Sequence, residues 1–409
     1  MKVLLVNNFH YLRGGAERAY FDLGKLLEEK GAEVAYFSTI NPRNRPSQFS
    51  SYFVRDYDLG GKYGFFRQIK IALRIIYNFE AARKMKKILK DFQPDIVHLH
   101  NIYHHLSPSV LKVLKKYDIP VVMSLHDYKL VCPDYKMFRQ GKICDKCLGG
   151  KFYNCLRYRC VAGSFLKSFV LTLEAYIHNK ILKTYDRVNL FISPSDYLRE
   201  VFVRAGFSRE RIRVLPHFLF PEEWQKKKIG SGEDYFLYFG RLSSEKGVEI
   251  LIKAWIRTPD LKLKIAGEGK QKKKLEEMVR KNNLEDRVEF LGFKKGEELK
   301  EIIQRAKAVV FPFVWAEVFG YTLLESLSLG TPVIASRAGA APEIITEGEN
   351  GLLFQTGDPK DLKNKLLKLN KKSNSSFFGN ISLSSEYTPE KYASKILPWY
   401  QELISGKNL

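Results

Sequence analysis

The sequence predicts an α/β protein built from two doubly wound parallel-sheet domains. Short apolar runs alternate with amphipathic helical stretches along most of the 409 residues, which is the pattern of βαβ units. The alternation breaks once, over residues 216–234, where prolines, glycines and charge follow no period, and then restarts. The length agrees, since roughly 100–200 residues per domain leaves room for two or three. With 45% apolar and 28% charged residues, a disordered or fibrous chain is excluded.

In the first domain, residues 1–215, strands are expected at 2–6, 33–37, 96–99, 120–124, 190–192 and 213–215. Helical periods fall between them, notably at 16–29 and 66–90. The second domain, residues 216–388, reads as strand 235–239, helix 244–255, strand 261–265, helix 271–281 and strands 287–290, 308–311 and 332–335. Each domain opens with a strand that runs into a glycine-bearing turn and then a helix. Two such domains facing each other across a cleft is the economical architecture, with ligands beyond the carboxyl ends of the strands. Residues 389–404 form a last helical stretch.

Charge narrows the partners. Lys and Arg number 68 against 45 Asp and Glu, a net +23, which suits nucleic acid, anionic lipid or phosphorylated small molecules, or simply a well-solvated surface. Residues 62–90 carry Lys62, Arg67, Lys70, Arg74, Arg83, Lys84, Lys86, Lys87 and Lys90 among Tyr63, Phe65, Phe66, Ile71 and Ile75. That mixture fits the headgroup layer of an acidic membrane, and also a helix packed on a sheet. The opening run Met1–Val6 stops at Asn7-Asn8, too short for an export signal, and no run reaches the roughly 18 apolar residues of a membrane span. A cytoplasmic protein is expected, peripheral on the inner face of the membrane if bound there at all.

The strongest constellation is Glu317-Val-Phe-Gly320-Tyr-Thr-Leu-Leu-Glu325, followed by Gly330-Thr-Pro332. A buried strand leads into a loop and a helix over residues 319–329. Glu317 stands at the helix entrance, where unpaired amides and the helix dipole favour a phosphate. Gly320 lets a ligand approach the backbone. Glu325, among Leu323, Leu324, Leu327 and Leu329, needs hydrogen-bond donors, which two ribose hydroxyls would supply. The plainer alternatives are a Glu that merely favours a helix N-terminus and a Glu on a solvated edge.

The spacing Glu317-x7-Glu325 resembles the retaining nucleotide-sugar glycosyltransferases of family 4, which have the GT-B fold. The resemblance continues in order through Gly339-Ala-Ala-Pro-Glu343, Gly348, Gly351-Leu-Leu-Phe and Gly357-Asp358. Upstream, Gly240-Arg241-Leu-Ser-Ser-Glu-Lys246-Gly247 is similar to the family's donor-phosphate element, and Ala266-Gly267-Glu-Gly269 to its next glycine turn. The resemblance implies a hexosyl transfer from a UDP- or GDP-sugar to a hydroxyl of a glycan or lipid-linked saccharide in cell-surface polysaccharide synthesis. It implies that Arg241 and Lys246 neutralise the diphosphate and that Glu317 contacts the donor sugar with the amides of Val318, Phe319 and Gly320. Glu325 would grip the ribose, and the last helix would cross back to the first domain.

In the first domain the resemblance covers the Gly14-Gly15 loop, which would approach donor phosphate and acceptor, and His126, which would contact the donor sugar. Asp127 is expected to orient that imidazole. His98 and His100 alternate on one sheet face; His100, Asn101 and Asp127 would line the acceptor side, while His98 reads as a core histidine. The chain departs from the family pattern at Gly339-Ala340, at His217 after Pro216 and at Tyr321, which blurs the donor sugar.

All five cysteines lie between Cys132 and Cys160. Cys144, Cys147, Cys155 and Cys160 have the look of a structural zinc cage; reduced thiols or disulfides are the other readings. Nearby Lys136, Arg139, Lys142, Lys146, Lys151, Arg157 and Arg159 make that loop basic. With two cations on the diphosphate, no cofactor is expected to be needed for catalysis. Three rivals stand: a nucleotide-sugar epimerase or hydrolase of the same fold, a metal-dependent hydrolase on His98, His100 and His126, and a nucleic-acid-binding protein. The last two leave the ordered Gly/Glu motifs without a role, so no nucleic acid is expected as partner.

Overall fold

The computed structural model describes residues 1–59, 61, 63–224, 233–258, 260–371, 381 and 384–406. Lys62 and residues 225–232 of the expected linker lie outside them. The chain divides into two compact units: residues 1–137, 145–217 and 389–409 form the first, residues 138–144 and 218–388 the second.

The first unit holds a six-stranded parallel sheet made of β1 (Lys2–Val6), β2 (Glu33–Phe37), β3 (Ile96–Leu99), β4 (Val121–Ser124), β5 (Leu190–Ser193) and β6 (Ile212–Val214). Their order is β2-β1-β3-β4-β5-β6. Val3 to Val6 of β1 are fully buried, because helices cover both faces of such a sheet and both sets of alternating side chains must be apolar. The helix Pro389–Ile404 packs with this unit. Its Tyr400 hydroxyl is hydrogen-bonded to His98 Nδ1 in β3, and Glu402 pairs with Arg213 of β6 at 3.0 Å.

The second unit repeats the plan with β7 (Tyr235–Phe239), β8 (Lys262–Ala266), β9 (Val288–Gly292), β10 (Ala308–Phe311), β11 (Val333–Ser336) and β12 (Gly351–Phe354). The order β9-β8-β7-β10-β11-β12 reverses at β7. Along β7, Phe236 and Tyr238 enter one core while Tyr235, Leu237 and Phe239 enter the core on the opposite face, the period-two alternation of a strand buried on both sides. The first core is anchored by the fully buried Trp255, whose Nε1 donates to the Leu261 carbonyl at 2.8 Å.

Two expected helices differ, and one strand is additional. The single helix over 66–90 is two, Phe65–Ile76 and Phe79–Phe92, because Asn78 caps the second, its Oδ1 accepting from Ala81 N at 3.0 Å. The helix after Glu317 is Tyr321–Ser328, and β12 is a strand that the periodicity did not single out. No helix among the described residues is long and apolar enough to cross a membrane.

Candidate active site

In the second unit the carboxyl ends of β7, β8, β10 and β11 lead into the glycine turns and the acidic loop. Gly247, in the left-handed region at φ +70°, closes the turn Ser244–Lys246 and starts the helix Val248–Trp255. A Cβ there would sit 1.8 Å from the Pro312 carbonyl oxygen. Gly339, at φ +58°, lies as close to Glu317, whose carbonyl oxygen would be 2.1 Å from an added Cβ and which accepts from Ala340 N at 2.8 Å. Val314 N donates to the Glu245 carbonyl at 3.1 Å. Backbone contacts therefore bind the turn after β7 to the loop after β10.

That packing brings two predicted residues together. Lys246 Nζ donates to Glu317 Oε2 at 2.5 Å and lies 4.9 Å from the ring centre of Phe313 and 5.4 Å from that of Trp315. Glu317 is only 8% exposed, and a carboxylate so buried needs a partner of this kind. Arg241 is exposed, and its carbonyl accepts from the Tyr238 hydroxyl at 2.9 Å. Val318 and Phe319 are buried, and Gly320 at φ +102° caps the helix Tyr321–Ser328. Glu325 is half-buried on that helix, between buried Leu324 and Leu327. A cation at the end of one helix-starting turn, beside a second helix start, is a setting for a diphosphate.

The first unit gathers imidazoles. His100 follows β3 and His126 follows β4 by one residue, and their rings stack at 5.0 Å with His100 Nδ1 and His126 Nε2 2.8 Å apart. His98 stacks below His100 at 4.9 Å and His217 against His126 at 5.4 Å. Burial pulls His126 and His98 down to about 3, and His100 and His217 well below the usual histidine value. The rings are neutral at physiological pH, so a single proton lies between His100 and His126. His100 Nε2 and Asn101 Oδ1 are buried with no hydrogen-bond partner among the described residues. His98 Nε2 contacts Ser124 Oγ at 2.8 Å, besides Tyr400.

Asp127 does not orient His126 as expected. Its Oδ1 accepts from Lys129 N at 2.8 Å, and burial lifts the carboxyl to about 6; the partner of His126 is His100. His217, noted in the sequence only as a departure, is the fourth ring of the stack, a placement that needs the fold to be seen. Gly14 is extended at φ −173° and Gly15 opens the helix Gly15–Glu29. A Cβ on Gly14 would come no nearer than 3.8 Å to Glu17, so the backbone itself does not require glycine there.

The zinc cage expected on Cys144, Cys147, Cys155 and Cys160 finds no support in the placement of the thiols. Cys144 is half-buried at the end of the hairpin Phe138–Arg139 and Lys142–Ile143, which groups with the second unit. Cys147, Cys155 and Cys160 share an apolar packet with Phe152, Ala175 and Tyr176 in the first. Cys132 lies beside Cys147, and Cys155 beside Cys160, all of them free thiols. The neighbouring thiol and burial raise Cys147 and Cys155 far above the ordinary thiol value. Among the described residues no group of three or more His, Cys, Asp or Glu is arranged to hold a metal ion.

Comparison with known proteins bears on the family and the fold. Residues 13–223 match the family model Glycosyltransferase Family 4, and residues 220–376 match Glycosyl transferases group 1. An uncharacterized glycosyltransferase of Methanocaldococcus jannaschii is 40% identical over 136 residues, 33% of this chain and 38% of that protein. The aligned stretch thus spans under two fifths of that relative. N-acetyl-alpha-D-glucosaminyl L-malate synthase of Bacillus anthracis is 23% identical over 403 residues, 96% of this chain and 94% of its own. Among solved structures, Anabaena HepE in complex with UDP and glucose superposes with a TM-score of 0.64 at 19% identity, covering 98% of this chain and 100% of that one.

Proposed function

The chain belongs to glycosyltransferase family 4, and from that membership we propose that it is a retaining enzyme moving a hexosyl group from a UDP- or GDP-sugar to a hydroxyl of a glycan or lipid-linked saccharide. Its fold is GT-B, with one parallel-sheet domain in each unit. The observation that carries the reading is the Lys246–Glu317 pair beside two helix starts at the point where the strand order reverses.

In this reading the donor diphosphate takes Lys246 and Arg241 as counterions. As the anomeric carbon–oxygen bond breaks, its electron pair moves onto the phosphate, and cations aimed at that growing charge contribute about 3 kcal/mol each. Glu317, released from its exclusive hold on Lys246, accepts from the sugar hydroxyls, with the amides of Val318, Phe319 and Gly320 as donors alongside it. Glu325 accepts from the ribose. The acceptor oxygen bonds to the anomeric carbon on the face the phosphate leaves, and its proton passes to a phosphate oxygen. No protein nucleophile is required, and retention follows from attack on that same face. His126, with His100 holding its tautomer, offers a neutral imidazole to the sugar, and His100 and Asn101 face the acceptor.

Two cations on the diphosphate make a divalent ion unnecessary. The acceptor class and the excess positive charge support work at the cytoplasmic face of an anionic membrane, in cell-surface polysaccharide synthesis. HepE, of like fold, was solved with UDP and glucose, which supports a UDP-sugar first. The test is thermal unfolding with a panel of UDP-, GDP- and ADP-sugars. One of them at a hundredfold over its Kd should add about 2.7 kcal/mol of stability. Lys246→Ala should abolish that shift and most turnover, while EDTA leaves turnover intact. A panel without any shift, or full activity in Lys246→Ala, would reject the assignment.

A further inference from the structure

Two helices of the first unit leave the same apolar pattern in water. Helix Phe65–Ile76 exposes Phe65, Phe66, Ile69 and Leu73, and helix Phe165–Tyr176 exposes Phe165, Leu166, Phe169 and Leu173. In both, these are the first, second, fifth and ninth residues, which share an arc of about 100° on the helix. In both, a cation follows the apolar pair, Arg67 in one and Lys167 in the other. The exposures are large, 70% for Phe65 and 85% for Phe66. The core takes other residues: Ile75 from the first helix, and Ser168, Leu171, Thr172 and Ala175 from the second.

The helices are neighbours, packed against one another. His178, just beyond the second helix, donates from Nε2 to the Ile76 carbonyl at 2.8 Å and accepts at Nδ1 from Thr184 Oγ1 at 3.0 Å. This imidazole ties the end of one helix to the end of the other. Ile181 and Leu182, 71% and 53% exposed, continue the apolar surface.

Charge identifies what would cover it. Residues 65–76 and 165–183 contain Arg67, Lys70, Lys167, Lys180 and Lys183, besides Arg74, which is held by Glu80 at 3.1 Å. The one acid in those ranges, Glu174, is buried against Lys129 at 2.7 Å. A second copy docked by two-fold symmetry would set these cations against themselves. An anionic lipid surface offers what the face lacks, hydrocarbon for the stripes and phosphate for the rim. No helix of the described residues can cross a bilayer, so contact is at the surface. We propose that helices Phe65–Ile76 and Phe165–Tyr176 together form one docking face for an anionic bilayer, with their matched apolar stripes inserted at the headgroup boundary. This rests on the peripheral-membrane reading above and names the surface responsible.

The experiment is co-sedimentation of the full chain with phosphatidylcholine vesicles and with mixed phosphatidylcholine–phosphatidylglycerol vesicles. Binding to the mixed vesicles should be at least roughly tenfold tighter and weaken with added salt. Phe65→Ser/Phe66→Ser and Phe165→Ser/Leu166→Ser should each weaken it about tenfold, with unfolding temperature and nucleotide-sugar shift unchanged. Equal binding to both vesicle types overturns the proposal. So does loss of binding in one double variant but not the other, or a concentration-dependent dimer in light scattering that Phe65→Ser/Phe66→Ser dissolves. A missing nucleotide-sugar shift beside intact vesicle binding would reject the catalytic assignment and leave this face standing.

Discussion

Gly339 carries as much of the site as the charged residues do. At φ +58° its backbone lies where an added Cβ would stand 2.1 Å from the carbonyl oxygen of Glu317 and 2.4 Å from its nitrogen. Neither can yield without breaking the Ala340 N to Glu317 hydrogen bond. Gly348, at φ +91°, has nothing within reach of a Cβ. Gly339→Ala should therefore cost about 3 kcal/mol and weaken nucleotide-sugar binding, whereas Gly348→Ala should cost only the left-handed penalty of about 1–2 kcal/mol. Chemical denaturation of both variants checks this, and equal losses would refute the packing argument. The sequence made Gly339, Glu317 and Lys246 visible one at a time, through their place in ordered motifs. It could not reveal that Lys246 and Glu317 are partners, since 71 residues separate them and no local rule couples such positions. The same holds for His217, which only the packed sheet brings to His126; Asp127 instead bonds locally, to Lys129 N two residues on.

Among elements, the ones read from periodicity are those buried on both faces, where an apolar run has no alternative use. β1, β3, β7 and β10 are of this kind. The split between Phe65–Ile76 and Phe79–Phe92 was hidden because apolar spacing continues across Asn78, and only its cap bond breaks the helix. What holds helix Phe165–Tyr176 to the segment after β4 was equally invisible. Lys129 Nζ donates to Glu174 Oε2 at 2.7 Å and to the Pro133 carbonyl at 3.1 Å, with both charged side chains 2% exposed. Removing one partner of so buried a pair strands a charge. Lys129→Met should destabilise by about 3–5 kcal/mol, and Lys129→Met/Glu174→Leu should recover most of it. Glu174→Gln, which keeps an acceptor for the ammonium, should cost less than Lys129→Met. Urea midpoints in the reverse order would show that the pair is not what fixes this helix.

For the whole molecule, the imidazoles decide how the protein meets acid. Seven of the eight histidines, His10, His98, His100, His104, His126, His178 and His217, have values lowered by burial. Unfolded, each takes up a proton near pH 6.5; folded, it resists. The unfolded chain therefore binds more protons below that pH, and stability present above 6.5 is lost as pH falls toward the folded-state values. For His98, fully buried and lowered to about 3, the loss between pH 6.5 and 5 is about 2 kcal/mol. Asp127 and Asp134, raised to about 6 by burial, act in the opposite sense as they protonate between about 6 and 4. Burial raises Glu17 as well, yet three carboxyls do not offset seven imidazoles. The added positive charge also falls on a chain already at +23, which deepens self-repulsion. The unfolding temperature should drop by about 5 °C or more from pH 7 to pH 5. His98→Asn should begin lower and fall less steeply, having one fewer proton to refuse. A flat profile over that range would mean the imidazole stack, with the His100–His126 pair in it, is open to water.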